Sequence, residues 1–282
     1  MQAQDSNGRS IRGPEALESL RVPFAGTCWW CQTRPATTGE HKFKRTDLTR
    51  LMAQDEGDLL IWVDLEGNRM REVRGRSGVT RDRHGVVKFP KSMCEPCNNR
   101  RSKPFDTAYE TYSEYVHQHP RLRRLPGLDF TEVFGVGWQE PTLNVARYYA
   151  KHFGCRMVSS GVPVPPDVRR FLDGETDMTH GHMALVTTDS VHRLRSGVSI
   201  SPEFVEADKA ITHLVRYVAV AYVGSIGVRY EWREEGIADG SQFFHYPTPL
   251  INPFVDDVAV FEGRTRRPGF LARVLQAVNR PR

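Results

Sequence analysis

Cysteine is scarce in this chain of 282 residues: there are five, far below the density of a small domain held together by disulfides. No apolar run approaches the roughly 20 residues that span a bilayer. The longest, residues 217–223, is flanked by Arg216 and, a short way beyond its end, Arg229. With 39% hydrophobic and 26% charged residues and a mean hydropathy of −0.50, the composition excludes a protein built of membrane-spanning helices. The N-terminus lacks a basic-then-apolar leader, which predicts a protein that is not exported. Walker loops, G-x-G-x-x-G turns and internal repeats are also missing, so the usual phosphate- and dinucleotide-cradling motifs are set aside. These absences predict a cytoplasmic protein with reduced thiols and no membrane partner.

What is present begins with charge. The net charge is only +5, but it is unevenly placed. Residues 69–103 hold eleven Lys/Arg against three acids (Glu72, Asp82 and Glu95), a local excess of +8 that leaves the remainder of the chain at −3. Among the eleven are Arg69, Arg71, Arg74, Arg76, Arg100, Arg101 and Lys103. Such a window suits a polyanion-facing patch, and equally a solvated charged hairpin; charge alone does not decide.

Four of the five cysteines form two C-x-x-C pairs, Cys28-Trp29-Trp30-Cys31 and Cys94-Glu95-Pro96-Cys97. Each pair offers two sulfurs on one tight turn, a bite that suits two corners of a tetrahedron, and two pairs complete a closed thiolate site of the kind that binds structural zinc. Disulfides fit poorly with a reducing compartment. A redox role for either pair lacks the strand-then-helix pattern that goes with it. Cys155, between Phe153 and Met157, reads as a buried free thiol.

Beside the knuckles stand Gly39-Glu40-His41-Lys42 and, directly after Cys97, Asn98-Asn99-Arg100-Arg101-Ser102-Lys103. The combined pattern (C-x-x-C, then Glu-His, then C-x-x-C-Asn) resembles the HNH, or His-Me finger, endonucleases, in particular the branch with a four-cysteine structural zinc. The resemblance covers residues 26–115. It implies a zinc-stapled ββα nuclease domain in which His41 is the general base and Glu40 and Asn98 hold a catalytic Mg²⁺ or Mn²⁺. It also implies DNA as substrate, although nothing in the residues separates DNA from RNA. The chemistry agrees: imidazole is suited to deprotonating water near neutral pH, and an oxygen-donor pair suits a hard divalent cation that stabilises charge on the phosphate. A non-catalytic, zinc-stapled nucleic-acid-binding module is the alternative.

Two features depart from that branch. The acid is Glu40 where Asp is usual, and residues 42–93 separate His41 from the second knuckle where compact members have far fewer. Inside this insertion, residues 59–63, a turn at 66–68 and residues 70–74 read as a β-hairpin whose basic positions could lie along a nucleic-acid backbone. Residues 86–90 read as the strand before the second knuckle. Ser102 as N-cap and Pro104 in the first turn open a helix with the apolar stripe Phe105, Ala108, Tyr109, Tyr112, Tyr115, Val116.

The expected organisation is therefore α+β: a disordered segment 1–14, an HNH-like zinc domain 15–126, and a separate α+β accessory domain 127–282. Within the last, a helix over 142–153 stopped by Gly154, a short helix over 167–172 and strands over 183–188, 243–246 and 255–261 are expected. Residues 215–228 form one or two apolar segments, strand or buried helix. The accessory unit could mediate self-association or seat a protein partner. His180 and His182 read as loop histidines rather than a second metal site.

Overall fold

The computed structural model describes residues 3–4, 10–11, 18–54, 59–64, 69–74, 87–187, 198–200, 203–224, 226–236 and 242–253. The fold is α+β, and no helix among the described residues is long and apolar enough to cross a membrane.

In chain order the elements are β1 (Ala3–Gln4), β2 (Ser10–Ile11), α1 (Arg45–Gln54), β3 (Leu59–Asp64), β4 (Arg69–Arg74), α2 (Lys103–Gln118), α3 (Phe130–Phe134), α4 (Gln139–Ser159), α5 (Pro166–Leu172), β5 (Gly181–Thr187), β6 (Val198–Ile200), β7 (Phe204–Ala207), β8 (Leu214–Val223), β9 (Ile226–Arg233) and β10 (Ile251–Pro253). A π-helical turn, Pro96–Arg101, leads into α2. The main sheet has the order β10-β5-β9-β8-β6, with β7 also paired to β8. It is mixed: β10 runs parallel to β5, and the other pairings are antiparallel.

Helix α4 is the centre of the molecule. Residues 144–157 are buried without a break, so the helix lies in the core on every side instead of presenting one apolar stripe. On one side α2 packs against it through its aromatic stripe, with Tyr109 stacked on Tyr148 at a ring separation of 3.8 Å. Towards the sheet, Phe153 stacks on Tyr230 of β9 at 5.2 Å. The alternation of β8 sends Tyr217, Ala219, Ala221 and Val223 into this core, whereas Val220 and Tyr222 form a small second cluster with Val186. The cysteine knuckles, α2, α4 and the sheet contribute to one buried cluster that includes residues before and after position 126.

Several expectations are modified. Gly154 does not stop the helix; α4 runs through it to Ser159. A Cβ at Gly154 would lie 2.4 Å from the Trp29 ring, so the glycine is a slot for the indole beneath the first knuckle. That ring is buried, and its Nε1 donates to Cys155 Sγ at 3.4 Å. Gly154→Ala should therefore destabilise the protein by about 1–3 kcal/mol through overpacking, despite the roughly 1 kcal/mol that alanine gains in a helix interior. Urea unfolding checks this, and a more stable variant would mean that the indole gives way.

Ser102 occupies the N-cap position of α2, but its side chain makes no capping hydrogen bond. It has helical backbone angles, and its hydroxyl donates to the Asn98 carbonyl at 2.6 Å, because the helical path already begins at the second knuckle. Residues 243–246 do not form a strand. Phe243–His245 is a 3₁₀ turn, which buries the consecutive rings of Phe243 and Phe244 as an alternating strand would not. Residues 215–228 resolve into the β8–β9 hairpin, turning at Gly224 with φ +55°. The expected hairpin of the insertion is present as antiparallel β3 and β4, with Trp62 opposite Arg71. Helix α1 precedes it, without a counterpart among the expected elements. Arg76, Asn68, the strand expected at 255–261 and most of segment 1–14 lie outside the described residues.

Candidate metal centre and adjoining recess

The two C-x-x-C turns meet. The sulfurs of Cys28, Cys31, Cys94 and Cys97 all lie within 4.8 Å of one another, and Cys31 Sγ is 3.8 Å from Cys94 Sγ. That spacing is far beyond a disulfide bond. It matches the edge of a tetrahedron with zinc–sulfur bonds of about 2.3 Å, roughly 3.8 Å. The cluster could hold a metal such as zinc, and no other group of that kind occurs among the described residues. Burial and the neighbouring sulfurs push the Cys28 and Cys97 thiols up. For Cys31 burial acts in the same direction, but hydrogen bonds from Thr33 and the Arg34 amide outweigh it and bring this thiol down to about 6. Four sulfurs so arranged need a cation to remain thiolates together.

The knuckles also fix what hangs on them. A short antiparallel pairing joins the segment after the first knuckle to the segment before the second. Thr38 bridges Met93, and His41 bridges Lys88. Lys42 N donates to Val87 O at 2.8 Å, and Phe89 N donates to Glu40 O at 2.9 Å. Gly39 permits the approach, since a Cβ there would lie 2.3 Å from the Phe89 carbonyl oxygen, which is backbone and cannot swing aside. On the other side the π-helical turn carries Asn98, whose backbone N–H donates to Cys94 O at 3.0 Å.

Glu40, His41 and Asn98 consequently line one open recess, together with Lys44, Lys88, Lys91 and Asp106. Burial first, and then the Lys88 ammonium, lower the His41 pKa below its ordinary value, so the imidazole is neutral at pH 7. The Asn98 Oδ1 atom is buried and has no hydrogen-bond partner. An orphan carbonyl oxygen of this kind suits a cation ligand. Glu40 is buried too, and its Oε2 is 2.9 Å from the ammonium of Lys151 in α4, which is fully buried. A carboxylate has about four lone-pair sites, so this contact leaves Glu40 able to bind an ion as well. Glu40 and Asn98 are thus oxygen donors that could hold a cation in this recess.

Sequence reasoning missed α4's part in this site. Lys151 Nζ also lies 3.3 Å from Ser102 Oγ and 3.4 Å from Asp106 Oδ1. Burial alone would lower its pKa, but the Glu40 and Asp106 carboxylates more than reverse this and raise it. The next residue, His152, donates from Nε2 to the Lys42 carbonyl at 3.0 Å. The two neighbours on α4 thus grip the residues on either side of His41. No local pattern signals this, because His152 and Lys42 are 110 positions apart.

The basic residues divide. Arg100 and Lys103 are exposed. Arg101 is exposed as well but engaged: it lies over the Trp30 ring at 4.4 Å, pairs with Asp173 and reaches Cys97 Sγ at 3.7 Å. Trp30 Nε1 donates to the same Asp173 at 2.7 Å. Arg69, Arg71 and Arg74 fall on β4. His180, considered as part of a second metal site, has its Nδ1 3.2 Å from the Arg233 carbonyl. Compared with family models, curated proteins and solved structures, the chain finds no match.

Proposed function

We propose that this protein is a divalent-metal-dependent nuclease of the HNH type that hydrolyses phosphodiester bonds in DNA. The observation that carries the reading is that His41, Glu40 and Asn98 line one recess, with the Asn98 Oδ1 atom unpartnered. A short antiparallel pair followed by a helix positions them, and the cysteine cluster braces that arrangement. His41, neutral at pH 7, takes the proton from an attacking water. Glu40 and Asn98 hold the ion, Mg²⁺ or Mn²⁺, which supplies charge neutralisation on the phosphate and its leaving oxygen. Lys44, Lys88 and Lys91 at the rim, with the exposed Arg100 and Lys103, attract the backbone phosphates. Zinc in a closed sulfur cage has no open position and serves structure only.

The test is cleavage of supercoiled plasmid, branched and single-stranded DNA, and RNA, with Mg²⁺ or Mn²⁺ and with EDTA. His41→Ala should lower the cleavage rate by about 10²–10⁴-fold while zinc content and DNA affinity stay at wild-type levels. A zinc-loaded wild type that binds DNA and cuts none of these substrates would overturn the reading. It would favour the second one, a nucleic-acid-binding module without cleavage, which the engagement of Glu40 by Lys151 supports.

A further inference from the structure

A lysine with no exposed surface is costly to bury and stays charged only where carboxylates surround it. Lys151 meets that condition with two of them, Glu40 at 2.9 Å and Asp106 at 3.4 Å. Asp106 is shared with Lys44, whose Nζ is 2.7 Å from the same Oδ1. Both acids line the recess that His41 and Asn98 also line. Set against two carboxylates, Lys151 is thus the only fully buried cation of this group. It comes from α4, the helix at the centre of the core, so it cannot withdraw without disturbing Tyr148 and the packing around it.

We propose that the Lys151 ammonium is the recess's resident counter-cation. It fixes Glu40 and Asp106 in place and competes with a divalent ion for Glu40, so that the chain alone binds the ion loosely and a substrate phosphate is needed to complete its coordination. Lys151 is a positioning residue that acts through Glu40. The inference rests on the proposed role of Glu40 as an ion ligand, but not on cleavage. It also gives the glutamate a reason: its additional methylene, relative to aspartate, carries the carboxylate to a lysine on α4.

The sign of the expected effect is unusual. Removing a lysine from a surface that merely attracts phosphates would leave ion binding unchanged. Removing this one leaves two acids facing the recess with less positive charge, so the ion should bind more tightly. The probe is Mn²⁺ alone, titrated without nucleic acid and followed by loss of the free-ion electron paramagnetic resonance signal. Lys151→Met should bind Mn²⁺ at least about tenfold more tightly than wild type, the minimum expected from removing one unit charge a few ångströms away. The double variant Lys151→Met/Glu40→Gln should lose that gain.

Lys151→Met leaves Glu40 buried without its partner, so it will fold less well. Thermal melting with and without Mn²⁺ covers this case, since an ion that takes the ammonium's place must raise the melting temperature of Lys151→Met more than that of wild type. Unchanged or weaker Mn²⁺ affinity in a folded Lys151→Met, or a poorly folded one that Mn²⁺ fails to stabilise, overturns the proposal. Neither result depends on cutting. A protein that behaves as expected here and cleaves nothing would retain the counter-cation and lose only the nuclease reading.

Discussion

Stripping zinc-loaded protein with a chelator, or replacing Cys94 by Ser, should unfold the molecule far beyond the knuckles themselves. Structural zinc in four-thiolate sites contributes on the order of 10 kcal/mol, comparable with the whole stability of an ordinary domain, about 5–15 kcal/mol. Here the loss cannot stay local. Cys28, Cys94 and Cys97 belong to the same buried cluster as Tyr112, Phe153 and Tyr230, and the Trp29 ring occupies the slot at Gly154 in the central helix. Opening the knuckles releases that ring and the short pairing that holds His41 to Lys88. It also leaves Arg101 without the sulfur it faces at 3.7 Å. The expected observation is one zinc per chain in purified protein, released together with a single cooperative loss of helical circular dichroism, and a Cys94→Ser protein that is insoluble or molten. Full retention of the melting temperature after complete metal removal would show that the cysteines are a packed thiol cluster with no structural metal.

The parts of the fold legible in the sequence are those whose determinants are local. Ligand spacing brought Cys28, Cys31, Cys94 and Cys97 together on paper, and the structure clusters their sulfurs. Alternation with a turn between identified the β3–β4 hairpin, and the stripe from Phe105 to Val116 identified the buried face of α2. What could not be read is set by distant partners. Gly154 has the appearance of a helix stop because its reason, the Trp29 ring, comes from the far end of the chain. Lys151, His152 and Arg156 look like the solvent face of an amphipathic helix, yet all three are buried because Glu40, the Lys42 carbonyl and Glu203 await them. Arg101 has the spacing of a phosphate clamp, but Asp173 and Trp30 engage it. Charged residues in a helix thus carried the most site information in the fold and the least in the sequence.

The same helix makes the protein acid-sensitive. His152 is fully buried against Phe89, with ring centroids 5.0 Å apart, and its Nδ1 has no hydrogen-bond partner. Burial, with the nearby Arg156 and Lys151 charges, pushes its pKa down to about 3; the hydrogen bond to the Lys42 carbonyl opposes this only in part. In the unfolded chain the same imidazole titrates near its ordinary value of about 6.5. The folded form therefore excludes a proton that the unfolded form accepts. This group has no effect on stability above about pH 6.5, and below it stability falls by roughly 1.4 kcal/mol per pH unit, approaching about 5 kcal/mol near pH 3. His152→Gln keeps a donor for Lys42 but cannot titrate. It should be less stable than wild type at pH 7 through lost packing, and it should lose about 2 kcal/mol less than wild type on acidification from pH 6 to pH 4.5. Urea unfolding of both proteins across that interval decides the matter, because carboxylates common to the two cancel in the comparison. Parallel pH dependences would remove His152 from the account. A flatter curve for the variant would identify the contact beside His41 as the one that acid breaks.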